Sequence, residues 1–219
     1  NIRILGPDPS KTLPPGMAAI SGNVIGNQAI NIHLVGCRGI SVTGNFVYSG
    51  FRHNLLVEGC DDLSFGSNNF GHNYWVPSRE IDANVRIVDS SDCVLNGLEM
   101  RGAPSGKTSW EESWNDGEGR SHQGLIELER CQRMNISGCL LRDPTPVGVY
   151  LSDCSRINMS ACQVHDAREE KLMLRAVEWV GDGQNSLVQG NTFGRGKEGG
   201  IRIAAAASVR LGDNLEESD

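Results

Sequence analysis

Short runs of alternating apolar and other residues recur along the chain. Six of these runs align without gaps, and their apolar pairs are Ile32/Leu34, Leu55/Val57, Val85/Ile87, Ile126/Leu128, Val149/Leu151 and Ile201/Ile203. Alternation with period two is typical of a β-strand with one buried face. We therefore expect these pairs to point into a core and the residues between them, such as Arg86, Glu127 and Tyr150, to point outward.

A second type of run follows each alternating run and carries a marker residue. The run Ile40-Ser-Val-Thr-Gly-Asn45-Phe-Val47 returns with the marker at positions 23, 45, 68, 98, 139, 162, 191 and 214, where it is Asn, Leu or Cys. A base period of about 23 residues with occasional insertions is typical of stacked repeats. Each repeat is thus predicted to hold two strand-like runs, and the marker asparagines are predicted to form a ladder of amide hydrogen bonds between coils.

The cysteines also follow the repeat. One column of the alignment contains Cys37, Cys60, Cys131 and Cys154, with Ser90 and Ala206 as small substitutes. Seven cysteines is an odd count, whereas an extracellular disulfide framework favours pairs. We predict that most of them are reduced, buried and stacked on one another as small hydrophobic side chains.

These features together resemble the single-stranded right-handed parallel β-helix of the pectin-lyase-like superfamily. The resemblance rests on the Gly44-Asn45 type markers, the Cys37/Cys60 column and the alternating strands, and it extends from about Asn1 to Leu215. It implies one all-β solenoid domain over residues 1–219, with about eight coils and two loop insertions. The superfamily includes pectate, alginate and chondroitin lyases, polygalacturonases, mannuronan epimerases and phage tailspikes, so the resemblance specifies the architecture and not the activity.

Charge and hydropathy exclude two classes of partner. The net charge is -7 and no block of Lys and Arg occurs, which argues against general nucleic-acid binding. No apolar run approaches the roughly 20 residues of a membrane span. The first residues, Asn1-Ile-Arg-Ile-Leu5, look like a strand of an already formed coil. Because an open end of such a helix needs a cap, we expect a missing N-terminal segment or an oligomeric partner there.

Two insertions interrupt the repeat, at residues 71–83 and 101–123, and they leave from adjacent coils. They are rich in aromatic and charged residues, and loops on a rigid scaffold often carry function. Because sugar rings stack on aromatic faces, we predict a polysaccharide-binding site here, in an extracellular or periplasmic protein. The predicted substrate-binding residues are Tyr74, Trp75, Arg79, Trp110, Trp114 and Tyr150. The alternative is that these loops simply cover the flank of the coils.

The outward residues beside the insertions form the second candidate. They include Glu58, Arg86, Glu127, Glu129, Tyr150, Ser152 and Asp153. Glycoside hydrolysis needs two carboxylates, which Glu127 with Glu58 or Asp153 could supply. Elimination at a uronate needs a base and a cation, which Arg86 or a Lys or Arg of the loops could supply, and acidic ligands could hold Ca²⁺. The alternative is a solvated strand face with Glu–Arg pairs between coils.

A third candidate lies at one corner of the repeat and contains His72, Arg142-Asp143 and His165-Asp166. His165-Asp166 and His72 could act as a general base with its orienting group, or as metal ligands, although lone surface histidines are common. The polygalacturonase and epimerase motifs are missing from the sequence. We therefore predict a protein that binds a polysaccharide and could cleave it as a lyase or hydrolase. The alternative is a non-catalytic surface, adhesin or tailspike-like module.

Overall fold

A computed structural model describes residues 1–6, 17–71, 85–102, 122–204 and 208–217. Within these ranges the regular structure consists of 24 β-strands in three sheets of eight strands each. Every neighbouring pair of these strands is parallel, and each coil contributes one strand to each sheet. The predicted right-handed parallel β-helix of eight coils is confirmed.

Each of the three sheets contains eight strands, one from every coil. The first sheet contains β1 (Ile2–Leu5), β4 (Ile30–Val35), β7 (His53–Glu58), β10 (Val85–Val88), β13 (Gly124–Glu129), β16 (Val147–Ser152), β19 (Arg175–Val180) and β22 (Ile201–Ile203). The second contains β2 (Ala18–Ser21), β5 (Ile40–Thr43), β8 (Ser64–Gly66), β11 (Val94–Asn96), β14 (Gln132–Ser137), β17 (Ser155–Ser160), β20 (Ser186–Gln189) and β23 (Val209–Leu211). The third contains β3 (Val24–Gly26), β6 (Phe46–Tyr48), β9 (Asn69–Gly71), β12 (Glu99–Arg101), β15 (Leu140–Arg142), β18 (Gln163–His165), β21 (Thr192–Phe193) and β24 (Leu215–Glu216).

The prediction of two strand-like runs in each repeat is wrong, because each coil has three strands. The marker run divides into two strands at the marker, as in Ile40–Thr43 and Phe46–Tyr48. Gly44 has φ +67°, a left-handed conformation that glycine adopts without steric cost, and this residue turns the chain between the second and third sheets. The apolar pattern continues on both sides of this turn, so the corner is not visible as a gap in hydrophobicity.

The marker asparagines form the predicted ladder. The Nδ2 of Asn23 donates to the Oδ1 of Asn45 at 3.0 Å, and the Nδ2 of Asn45 donates to the Oδ1 of Asn68 at 2.9 Å. Asn191 donates in the same way to Asn214 at 2.9 Å. Leu98, Cys139 and Cys162 occupy the intervening positions and are buried. The marker amides are therefore bonded to one another wherever asparagine occurs at the marker on successive coils.

The core also contains the cysteines, and their prediction is confirmed: all seven are free and buried. In the predicted column the backbone N–H of Cys37 donates to the Sγ of Cys60 at 3.2 Å, and the N–H of Cys60 donates to the Oγ of Ser90 at 3.1 Å. Ala206, the last member of the column, lies outside the described residues. The side chain at each of these two positions, Cys60 and Ser90, thus accepts a hydrogen bond from the backbone N–H of the column residue on the preceding coil.

A second asparagine ladder, which the repeat pattern did not predict, lies at the start of the strands of the first sheet. The Nδ2 of Asn1 donates to the Oδ1 of Asn31 at 3.1 Å, and the Nδ2 of Asn31 donates to the Oδ1 of Asn54 at 2.8 Å. The Nδ2 of Asn54 is buried and has no hydrogen-bond partner in the described part of the chain. These asparagines head the alternating runs, and the apolar alternation alone does not predict their bonds.

Both insertions connect the third sheet to the first. One follows Gly71 at the end of β9 and precedes Val85 at the start of β10; the other follows β12 and precedes β13, which begins at Gly124. The prediction that they leave adjacent coils from the same corner is confirmed. Across the described ranges, no helix is long and apolar enough to cross a membrane.

Candidate functional site

Strand register places four of the outward residues of the first sheet in one row. Arg86 pairs with Glu127, Glu127 with Tyr150, and Tyr150 with Glu178, on four successive coils. Neighbouring strands lie about 4.8 Å apart, so each side chain in this row is next to the following one. We call Arg86, Glu127, Tyr150 and Glu178 the charged row.

Glu127 is the most enclosed member of the charged row, with 4% of its surface exposed. Its Oε1 accepts a hydrogen bond from the backbone N–H of Gln123 at 2.6 Å and a second from that of Gly124 at 3.3 Å. Gly124 fits tightly, since a Cβ there would lie 3.0 Å from the carbonyl oxygen of Val147. The chain that returns from the longer insertion therefore holds this carboxylate directly.

Arg86 lies between two carboxylates. Its Nη2 donates to the Oε2 of Glu129 at 2.7 Å, and its Nη1 lies 3.5 Å from the Oε2 of Glu127. These donors suit ionised carboxylates, which accept hydrogen bonds and do not donate them. The arrangement can position a base and neutralise a negative charge next to it.

Tyr150 supplies a different group. Burial raises the pKa of its hydroxyl, and the negative charges of Glu178, Glu127, Glu129 and Asp153 raise it further. The phenol therefore remains protonated at neutral pH and can donate a proton or a hydrogen bond. The row thus combines a cation, a carboxylate and a neutral donor.

Two histidines flank the charged row, and sequence analysis did not identify them. The rings of His53 and His122 are stacked, with centroids 5.2 Å apart and an interplanar angle of 11°. His122 is buried, and this burial, with the charge of Arg86, lowers its pKa to about 4. The two residues are far apart in the chain and neither belongs to a motif, so only the fold brings them together.

Glu58 does not lie beside Glu127. Its Oε2 is 2.6 Å from the Nε2 of His33, and its strand neighbour is Val88, which in turn is the neighbour of Glu129. Glu58 and Glu127 thus lie two coils apart and two residues out of register, and the Glu58 carboxylate bonds towards the coil that is farther from Glu127. Asp153, the other suggested partner, lies in a turn and accepts from the backbone N–H of Asp182 at 3.2 Å.

The structure does not pair His165 with Asp166. Both oxygens of Asp166 accept hydrogen bonds within its own loop, from the Nε of Arg168 at 2.7 Å and from the N–H groups of Leu172 and Met173 at 2.6 and 2.8 Å. Burial opposes ionisation, but these donors outweigh it and lower the pKa of Asp166. His165 instead lies beside Arg142 in the third sheet. The contacts of Asp166 stabilise the 166–173 loop.

Several predicted residues fall in the insertions. Those outside the described residues are His72, Tyr74, Trp75, Arg79, Trp110 and Trp114. Their predicted role in sugar binding stays a prediction. In the ranges that the structure describes, no group of three or more His, Cys, Asp or Glu side chains could hold a metal ion. The suggested Ca²⁺ also stays a prediction.

Comparison with known proteins gives one family. The family model described as right-handed β-helix region matches residues 85–217. No curated protein matches the sequence. Among solved structures, that of a candidate glycosyl hydrolase from Parabacteroides merdae aligns with a TM-score of 0.49 and 13% identity, covering 90% of this chain and 82% of that one. With its three stacked parallel sheets and a family match over more than half its length, this chain belongs to the right-handed β-helix family.

Proposed function

We propose that this protein is carbohydrate-active and binds a polysaccharide across the outward face of the first sheet. The observation that carries the proposal is the charged row, in which Arg86, Glu127 and Tyr150 stand side by side on three successive coils. Both insertions enter the first sheet at this row, on β10 and β13. A polysaccharide partner agrees with an extracellular or periplasmic location.

Elimination is the cleavage reaction that this geometry favours. Glu127 is the base that removes the proton at C5 of a uronate. Arg86 exchanges its bond to Glu129 for the sugar carboxylate and neutralises the charge that develops there. The electron pair forms the C4–C5 double bond as the C4–O bond breaks. Tyr150 donates its proton to the departing oxygen. Hydrolysis by Glu127 with Glu58 fits less well, because the Glu58 carboxylate lies two coils away and bonds to His33.

A non-catalytic role is the second candidate, and a specific observation favours it. Arg130 bonds to Asp89 and Arg133 to Asp92 at exposed corners, in the same manner as Arg86 bonds to Glu129. Ion pairs between coils are thus a general feature of this scaffold. The chain could then be an adhesive or spacer module of a larger or oligomeric assembly.

An assay of unsaturated product with a panel of acidic polysaccharides tests the enzymatic part. We expect wild type to release product, Glu127→Gln and Tyr150→Phe to lose at least a hundredfold in kcat, and Glu58→Gln to keep most of the activity. Binding to the same panel is measured in parallel by affinity gel electrophoresis. Binding by folded wild type without any product would contradict cleavage and favour the non-catalytic module.

A further inference from the structure

The outward face of the third sheet carries a depression that the proposed function does not use. Its volume is about 120 Å³, and it extends over the four successive strands β6, β9, β12 and β15. The side chains that shape it are those of Phe46, Asn69, Glu99, Arg101 and Arg142, around the bare backbone of Gly71. We call it the third-sheet depression.

One side of the third-sheet depression is aromatic. Phe46 is 39% exposed, and its ring packs against Tyr48 with centroids 5.6 Å apart. Gly71 is the strand neighbour of Tyr48 on the next coil. A Cβ on Gly71 would lie 3.8 Å from the Phe46 ring, so the missing side chain leaves open space beside the ring. A large aromatic side chain is therefore accessible beside a cleft.

The other side is polar, and its groups are held in place by one another. Glu99 accepts from the Nδ2 of Asn69 at 3.1 Å and from the Nη2 of Arg142 at 2.6 Å. Arg101 donates from its Nε to the Oδ2 of Asp143 at 3.1 Å. Two guanidinium groups thus face two carboxylates, and the local charge is balanced. The wall offers hydrogen-bond donors and acceptors without a net charge.

We infer that the third-sheet depression binds one uncharged pyranose residue of a glycan. The apolar C–H face of a sugar ring stacks on an exposed aromatic side chain such as Phe46. Adjacent sugar hydroxyls can donate to Glu99 and accept from Asn69 or Arg142, because a hydroxyl does both. The volume is small beside the roughly 300–1,000 Å³ of pockets for larger ligands, which suits a single ring.

The ion pairs of the third-sheet depression favour a neutral sugar over an acidic one. A uronate would have to compete with Glu99 for Arg142 and with Asp143 for Arg101, and it would approach the Glu99 carboxylate. A neutral ring makes its hydrogen bonds without breaking these ion pairs. The third-sheet depression also lies on a different sheet from the charged row, so this inference does not depend on the proposed function.

The test is titration calorimetry with neutral oligosaccharides of glucose, mannose, galactose and xylose, and with oligogalacturonate as the charged comparison. For at least one neutral ligand, we expect Phe46→Ala to weaken binding at least tenfold. Gly71→Val should do the same by filling the cleft, since its backbone is not in the left-handed region. Leu211→Ala, which truncates an exposed apolar residue of the second sheet, is the matched control and should bind as wild type does.

Two further measurements distinguish this site from the charged row. Neutral-sugar binding should change less than twofold between low and high salt, and it should be unaffected by Glu127→Gln. Arg142→Gln should weaken it, whereas Arg133→Gln, which removes a similar exposed ion pair in the second sheet, should not. The inference is overturned if folded wild type binds no neutral oligosaccharide, if Phe46→Ala leaves binding intact, or if only uronates bind in a salt-dependent way.

Discussion

The Nη2 of Arg86 and the Oε2 of Glu129 lie 2.7 Å apart on successive coils, and the same guanidinium lies 3.5 Å from the enclosed carboxylate of Glu127. Arg86 therefore bridges these two carboxylates. Its position explains how two acidic side chains can be adjacent on one strand face.

Removal of this cation should destabilise the protein. Arg86→Met removes a positive charge beside the enclosed carboxylate of Glu127, and we expect the free energy of unfolding to fall by about 2 kcal/mol. Urea unfolding followed by circular dichroism measures the change. Arg133→Met is the control, because its pair with Asp92 is exposed to solvent and should contribute little. Equal losses in the two variants would contradict the special position of Arg86.

The asparagine ladder should matter more than a similar bond at the surface. Asn45→Ala removes an amide that donates to Asn68 and to the carbonyl oxygen of Ile20, and leaves buried polar groups unsatisfied. We expect a loss of about 2–4 kcal/mol in the free energy of unfolding. Asn158→Ala removes an exposed amide bond to Asn135 and should cost much less. A ladder variant as stable as this control would show that the ladder is not a main source of stability.

His122 should make stability depend on pH. Its pKa falls from 6.5 to about 4 in the folded protein, so the unfolded chain binds the proton first as the pH is lowered. Stability should therefore decrease as the pH falls from 6.5 towards 4, by about 3 kcal/mol in total. Unfolding curves of wild type and His122→Asn across this range isolate the effect, and the variant should lose less stability. If the free energy of unfolding falls equally with pH in the two proteins, His122 is not the source of the pH dependence.

The cysteines should be unreactive until the protein unfolds. Burial raises the pKa of Cys60 to about 11 and that of Cys93 to about 12, and the thiolate is the reactive form. We expect an aromatic disulfide reagent to modify these thiols slowly in native protein and all seven quickly in denaturant. A count of fewer than seven in denaturant without reductant would reveal a disulfide and contradict the reduced core.

Much of the fold could be predicted because coils repeat the same physical environment. Alternation of apolar residues identified the inward face, and alignment of the repeats placed Arg86, Glu127 and Tyr150 in one row before their register was known. The three-strand coil was missed because Gly44 turns the chain without interrupting the apolar pattern. Period and alternation describe a single coil, and they do not reveal where a turn bends it.

The finer geometry of the candidate sites could not be predicted. His53 and His122 stack only because the longer insertion returns to the first sheet at Gly124. The third-sheet depression depends on the place of Phe46 after the turn, where sequence analysis had assigned no separate strand. Glu58 and Glu127 lie in different columns of the repeat and two coils apart, and the repeat pattern does not give the distance between their carboxylates.

The most direct test of the account is a glycan screen of wild type beside Tyr150→Ala and the double variant Trp110→Ala/Trp114→Ala, with Leu211→Ala as control. We predict that wild type and Leu211→Ala bind an acidic polysaccharide and that Tyr150→Ala loses most of this binding. Loss in the double variant would extend the site to the longer insertion. Absence of polysaccharide binding by folded wild type, or full binding by Tyr150→Ala, would contradict a carbohydrate site at the charged row.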